Sequence, residues 1–137
     1  MSISELKARD LMVSDVTFVR PDEKVAAVDL LMIRKSLGGV PIVESGTEKL
    51  VGIITQRDIM LSRFRTSIAG MTVDNIMTRN PITVSPAVSL KEVLNLMLKH
   101  NIERLPVIEK GKLIGLIDSI SILAAVYNCM SSKNDAE

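Results

Sequence analysis

The sequence predicts a mixed α/β (α+β) fold made of two tandem β-α-β-β-α repeats. The chain has 137 residues, of which 47% are hydrophobic, so it can bury a core. It superimposes on itself at an offset of 65, which aligns Met12 with Met77 and Pro21 with Pro86. The offset falls to 63 after the polar turns ESGTEK and EKGK, where a hairpin tolerates a length change. The chain therefore contains two copies of one duplicated unit.

Each repeat begins with a short helical lead-in, SELKARDLM in the first and TVDNIM in the second. A β-rich run follows, at residues 16–19 and 81–84, and a proline two residues later ends each run. Next comes an amphipathic helix in both copies. We expect Asp22 to cap the first helix, and Ser89 with Glu92 to form a capping box at the second.

Two apolar strands follow the helix in each copy. They are predicted at residues 40–43 and 50–55 in the first repeat, and at 105–108 and 113–117 in the second. Gly-containing polar turns separate the strands of each pair, so each pair should form a hairpin. A closing helix completes each repeat.

These elements predict one module over residues 1–137, with repeats at 8–65 and 73–128 and a disordered tail at 131–137. One repeat of about 60 residues is too small to cover both its sheet and its helix stripes. We therefore expect the two copies to pack face to face about a pseudo-twofold axis. Clefts between the copies would be natural ligand sites.

Composition and charge exclude several classes of protein. The 17 Lys and Arg residues nearly balance the 16 Asp and Glu residues, and only three aromatic residues occur, so nucleic-acid binding is not expected. The charged residues within the first ten positions exclude a secretory signal, and no apolar run is long enough for a membrane span. We expect a cytoplasmic protein without a membrane anchor.

The sequence gives no sign of an enzyme or of a metal site. It contains no G-x-S-x-G, H-E-x-x-H or Walker motif. The single histidine, His100, and the single cysteine, Cys129, are not at any recognised catalytic or metal-binding spacing. We therefore predict neither catalytic residues nor metal ligands.

The motifs IMT-x-x-P-I-T-V-x-P, L-P-V-I and G-I-I-T-x-x-D-I resemble those of the cystathionine β-synthase (CBS) domain pair, or Bateman module, over about residues 5 to 128. The resemblance implies a stand-alone regulatory module that binds AMP, ADP, ATP or S-adenosylmethionine between its repeats. It also implies a homodimer that signals to an effector protein in trans. The alternative is a ligand-independent dimerisation or interaction module whose sites have decayed.

Thr55 and Asp58, in GIITQRDI, permit two interpretations. T-x-x-D is a helix-capping pattern, but a carboxylate also suits the two hydroxyls of a ribose because it offers two acceptor oxygens. The resemblance implies that Asp58 binds the ribose with Thr55 nearby. Asp118 and Ser121 occupy these positions in the second repeat, so a second site is in doubt and Asp118 is expected to cap a helix.

The resemblance also implies a phosphate contact. Arg104, in NIERLPVI, matches an arginine that reaches the ligand's phosphate from the other repeat, and guanidinium suits phosphate because it is permanently charged and bidentate. Arg57 could add positive charge, although solvent exposure is its default. Glu103 stands where some relatives have a basic residue, which argues against strong triphosphate binding.

The resemblance also implies that four further residues flank the adenine of the ligand: Thr17, Leu37, Gly38 and Val40. Backbone groups there could read the donor and acceptor edge of the ring, and Gly38 would permit close approach. Core packing is the alternative role for Leu37. Gly38 and Gly39 do not predict a phosphate loop because the lysine and spacing of that motif are missing.

Overall fold

The computed structural model describes residues 1–135 and divides the chain into two compact units. Thr17–Pro81 forms the first-repeat unit. Residues 1–16, together with the chain from Ile82 onward, form the second-repeat unit. No described helix has the length and hydropathy required to cross a membrane.

The helices and the hairpin strands follow the predicted order, and one additional strand of two residues follows the second lead-in. The α-helices are α1 (Ala8–Leu11), α2 (Val25–Arg34), α3 (Gln56–Arg65), α4 (Leu90–His100) and α5 (Ser119–Asp135). The strands are β1 (Gly39–Val43), β2 (Leu50–Thr55), β3 (Thr78–Arg79), β4 (Arg104–Glu109) and β5 (Lys112–Asp118). Short 3₁₀ helices occupy Ile3–Glu5, which overlaps the start of the first predicted lead-in, and Val73–Asn75, which lies within the second.

The first-repeat unit contains a three-stranded antiparallel sheet in the order β1-β2-β3. Val40 and Ile54 face each other across β1 and β2 and are fully buried in an aliphatic core. The predicted strand at residues 16–19 is reduced to one parallel bridge between Val19 and Ile42. Because Pro21 has no N–H, the pairing cannot extend further along the chain.

The predicted cap at Asp22 is wrong. Helix α2 begins at Val25, its N-cap is Lys24, and no side chain in the described part of the chain caps it. The N–H of Val25 instead donates to the carbonyl of Met71, 3.0 Å away. The Met71 carbonyl, far away in sequence, thus accepts a helix N–H that the sequence pattern assigns to the Asp22 carboxylate.

The second-repeat unit is built around the antiparallel hairpin of β4 and β5. Ser89 caps helix α4, with its side chain accepting a hydrogen bond from the Glu92 N–H at 3.2 Å. The return bond from the Ser89 N–H to the Glu92 side chain is missing from the described residues, so only half of the expected capping box forms. The β-rich run at 81–84 again yields a single bridge, between Val84 and Val107. Helix α5 continues to Asp135, into the expected tail at 131–137, and the last two positions of that tail lie outside the described residues.

Each unit is closed by the lead-in of the other repeat. Leu6, Ala8 and Leu11 of the first lead-in are buried in the core of the second-repeat unit. Val73 of the second lead-in is buried in the core of the first-repeat unit, where β3 pairs with β2. The folding units therefore do not coincide with the sequence repeats.

Two glycines receive the methionines of these lead-ins. A Cβ on Gly52 would lie 2.9 Å from the carbonyl oxygen of Thr78 and closer still to the Met77 sulfur. A Cβ on Gly115 would lie 2.9 Å from the Cβ of Met12. Only a residue without a side chain permits these close approaches.

Candidate functional site

Four of the predicted site residues meet at one end of the sheet in the first-repeat unit. The register places Gly39 opposite Thr55, so the start of β1 lies beside the end of β2. The backbone N–H of Gln56 donates to the Gly38 carbonyl at 3.0 Å, and its side-chain amide donates to the Leu37 carbonyl at 3.2 Å. Leu37, Gly38, Thr55 and Asp58 are thereby held close to one another.

Thr55 and Asp58 form a complete capping box at the start of α3. The Thr55 hydroxyl accepts the Asp58 N–H at 3.1 Å, and Asp58 Oδ2 accepts the Thr55 N–H at 2.9 Å. The prediction that T-x-x-D caps a helix is thus confirmed. Within the described residues, Oδ1 of Asp58 receives no hydrogen bond. Because each carboxylate oxygen has two lone pairs, Asp58 keeps acceptor capacity for a ligand while it caps the helix.

Thr17 lies half-buried at the start of the first-repeat unit, where Lys35 Nζ donates to its hydroxyl at 3.3 Å. Lys35 is the C-cap of α2, and neither it nor Gln56 was among the predicted site residues. Both flank predicted site residues, Lys35 two positions before Leu37 and Gln56 directly after Thr55. That adjacency was the available signal.

Val40 and Leu37 are held by the core. Val40 as a whole is 1% exposed, so neither its side chain nor its backbone offers an open surface to a ligand. Leu37 is half-buried and packs against the same core cluster, which agrees with its alternative role. Arg57 lies exposed in the first turn of α3, as its default predicts.

Arg104 lies in the other unit, at the start of β4. It faces Asp118 across the hairpin, its side chain is 20% exposed, and Nη1 is 3.7 Å from Glu103 Oε2. The structure thus brings together Thr55, Asp58, Leu37 and Gly38 within one unit. The meeting of Arg104 and Asp58 at one ligand stays a prediction.

Asp118 caps α5 through a pair of hydrogen bonds like that of Thr55 and Asp58, but with the carboxylate and the hydroxyl in exchanged positions. Its Oδ1 accepts the Ser121 N–H at 2.7 Å, while the Ser121 hydroxyl accepts the Asp118 N–H at 2.9 Å. The expectation that Asp118 is a helix cap is confirmed. Here the carboxylate precedes the helix, whereas in the first repeat it lies in the first turn.

Comparison with known proteins identifies the repeats. The family model described as "CBS domain" matches residues 8–64 and 73–128. Inosine-5'-monophosphate dehydrogenase of Korarchaeum cryptofilum (strain OPF8) is 36% identical over 112 residues, which cover 81% of this chain and 22% of that protein. The match is therefore confined to a small part of the dehydrogenase.

Solved structures share the fold. A putative acetoin utilization protein (AcuB) from Vibrio cholerae has a TM-score of 0.86 and 28% identity, covering 96% of this chain and 98% of that chain. The structure of CBSX2 in complex with AMP has a TM-score of 0.80 and 24% identity, covering 91% and 98%. With both repeats matched by the family model, this chain belongs to the CBS domain family and is a CBS-domain pair, a regulatory module.

Proposed function

We propose that this chain senses an adenosine-containing nucleotide (AMP, ADP or ATP) or S-adenosylmethionine and passes the signal to a partner protein. One observation carries the proposal. The carboxylate of Asp58 is oriented by the Thr55 N–H through Oδ2, while Oδ1 has no hydrogen-bond partner among the described residues. A fixed carboxylate with free acceptor sites suits the vicinal hydroxyls of ribose.

The adenine would bind beside this carboxylate, against the segment that ends at β1. The carbonyl oxygens of Leu37 and Gly38 each accept one hydrogen bond from Gln56 and keep a second lone pair. Half-buried Leu37 supplies an apolar surface, and Gly38 permits close approach. Thr17 completes the proposed wall, with its hydroxyl oriented by Lys35.

Three cations are proposed to act on the phosphate end. Arg104 is assigned through its position in L-P-V-I, while Arg57 follows Thr55 closely and Lys35 donates to Thr17. Guanidinium groups bind phosphate oxygens in a bidentate manner, and an ammonium adds a point charge. AMP is the first compound to test, because it is the ligand present in the CBSX2 structure.

Self-association is part of the proposal, since each unit exposes an apolar helical face. On α3 the exposed apolar residues are Met60, Leu61 and Phe64. On α5 they are Ile120, Leu123, Tyr127 and Met130. Such faces are typical of protein interfaces. We propose that they mediate a homodimer in the cytoplasm and contact the effector; the proposal assigns no catalysis to the chain.

Calorimetric titration tests the proposal. AMP, ADP, ATP and S-adenosylmethionine should include at least one compound that binds with about one site per chain, and Asp58→Ala should weaken it. Asp58→Asn is the sharper variant, because the Asn side-chain oxygen can still accept the Thr55 N–H while the charge is lost. The matched control is Asp118→Asn, which alters the corresponding cap in the other unit.

The alternative function is a ligand-independent interaction module. It is favoured by the finding that Thr55 and Asp58 already have a structural role as a helix cap. Absence of heat with all four compounds, combined with a stable homodimer, would establish that alternative.

A further inference from the structure

The first sixteen residues, here called the strap, are an integral part of the second-repeat unit although they precede the first repeat in sequence. Leu6, Ala8 and Leu11 supply three buried side chains to the core of that unit. Met12 covers Gly115, where even a Cβ would meet its side chain. The strap is thus bound as a peptide would be, through apolar side chains set into a complementary surface.

Backbone hydrogen bonds fix the register of the strap. Ala8 N–H donates to the Val88 carbonyl at 2.7 Å and Arg9 N–H to the Pro86 carbonyl at 3.0 Å. Val13 and Leu116 exchange two hydrogen bonds, at 2.9 and 3.0 Å. The segment 86–90 and the glycine-bearing strand β5 together form a surface that we call the strap receptor.

The first-repeat unit shows that this binding mode is a repeated one. Val73 N–H donates to the Glu23 carbonyl at 2.9 Å, and Asp74 N–H to the Pro21 carbonyl at 3.1 Å. These bonds correspond, at the offset of 65, to the bonds of Ala8 and Arg9. The second lead-in therefore binds its receptor with the same register and with Met77 over Gly52.

The connection between the strap and the rest of the chain is weakly held. Within the described residues, the backbone of the segment 14–18 makes no hydrogen bond to other backbone groups. Val13, Ser14 and Asp15 are exposed. The first-repeat unit that follows is closed by the second lead-in, and no strap residue belongs to its core. Releasing the strap from its receptor therefore leaves that unit complete.

We propose that the strap receptor binds the strap of a second copy of this chain, so that two chains exchange their first sixteen residues. The exchanged strap packs and hydrogen-bonds as it does within one chain. The free energy lost when the strap leaves its own receptor is therefore regained in the exchanged dimer, and only the connection changes conformation. Concentration decides between the two forms, since the exchanged form needs two chains. This surface is separate from the apolar faces of α3 and α5.

Cross-linking of the full chain tests the exchange. Ser2 and the single cysteine, Cys129, line one groove, and Cys129 Sγ is 2.9 Å from the Met1 carbonyl oxygen. A Ser2→Cys chain is refolded at low and at high concentration and treated with a short bismaleimide. Links between residues 2 and 129 should join two chains to an extent that rises with protein concentration. Links within one chain at every concentration, or no 2–129 link, would overturn the proposal.

Two controls make the result specific. Ser2→Cys combined with Cys129→Ser removes the pair and should abolish the link. Adding Tyr127→Glu to the test chain disrupts the exposed face of α5 and should leave the link between chains unchanged; its disappearance would overturn the proposal in favour of a helix-face dimer.

Complementation gives a second, independent measurement. Leu11→Asp damages the strap of one chain, and Gly115→Val damages the receptor of another. Refolded together, they should form a 1:1 heterodimer in which the intact strap occupies the intact receptor, with amide protection restored in α4. Two chains that elute separately and stay unprotected would overturn the proposal.

Discussion

Asp58 accepts the backbone N–H of Thr55 at 2.9 Å while Thr55 accepts the N–H of Asp58 at 3.1 Å, so each residue caps the other at the start of α3. Asp58→Ala removes one half of this box and should destabilise the protein by about 1 kcal/mol. Urea unfolding measures the change. Asp118→Ala should cost a similar amount without affecting nucleotide binding, and equal loss of binding in both variants would contradict the proposed site.

Gly115→Ala should be strongly destabilising, because its Cβ would meet Met12. Overpacking of this kind typically costs about 1–3 kcal/mol. Thermal unfolding of Gly115→Ala alone and combined with Met12→Ala measures it. The double variant should recover part of the loss, because Ala at position 12 removes the Sδ and Cγ that lie closest to the new methyl group and retains only the Cβ at 2.9 Å. A double variant that is less stable than the sum of both single changes would refute the contact.

Leu11→Ala should destabilise the second-repeat unit by about 2–5 kcal/mol, the usual cost of truncating a buried leucine. Leu11 is 1% exposed, whereas Leu98 on α4 is 81% exposed. Leu98→Ala is therefore the matched control and should change stability by less than about 0.5 kcal/mol. Hydrogen exchange should rise in α4 and β5 for the first variant; exchange confined to residues 17–81 would contradict the assignment of the strap.

A salt bridge connects α3 with α2, with Arg63 Nη2 lying 2.6 Å from Asp29 Oδ2. Arg63 is 55% exposed, so water screens the pair, and Arg63→Ala should cost less than about 1 kcal/mol. The loss should shrink as salt is added. Arg65→Ala, on the same helix, controls for the loss of one positive charge. A cost that stays constant in high salt would show that packing, rather than charge, holds Arg63.

Hydrogen bonds from the Ser2 hydroxyl and backbone N–H, in that order of importance, hold the pKa of Glu5 below its usual value. Because the folded-state pKa is depressed, this interaction stabilises the strap above the unfolded-state pKa and is lost as pH falls through the folded-state pKa. Ser2→Ala should raise the titration midpoint of Glu5 in an NMR pH series. An unchanged midpoint would contradict this cause.

Local sequence patterns predicted the hairpins well, because a short apolar run and the turn residues beside it act over a few positions. The predicted strand at residues 50–55 is β2 itself, and Asp118 caps α5 as expected. The cap at Asp22 failed because the N–H of Val25 is satisfied by Met71, a partner that no local pattern contains. Lys35 was missed for the same reason, since its contact with Thr17 joins residues far apart in sequence.

The amino-acid sequence by itself determined the duplication, the order of elements and the membership of a known family, since these depend on periodicity and spacing along the chain. Tertiary structure alone decided that the strap closes the second-repeat unit and that Val40 is buried. It also decided that one oxygen of Asp58 caps a helix while the other has no hydrogen-bond partner among the described residues. The physical reason is that burial and hydrogen-bond partners depend on what packs against a segment. That neighbour can come from anywhere in the chain.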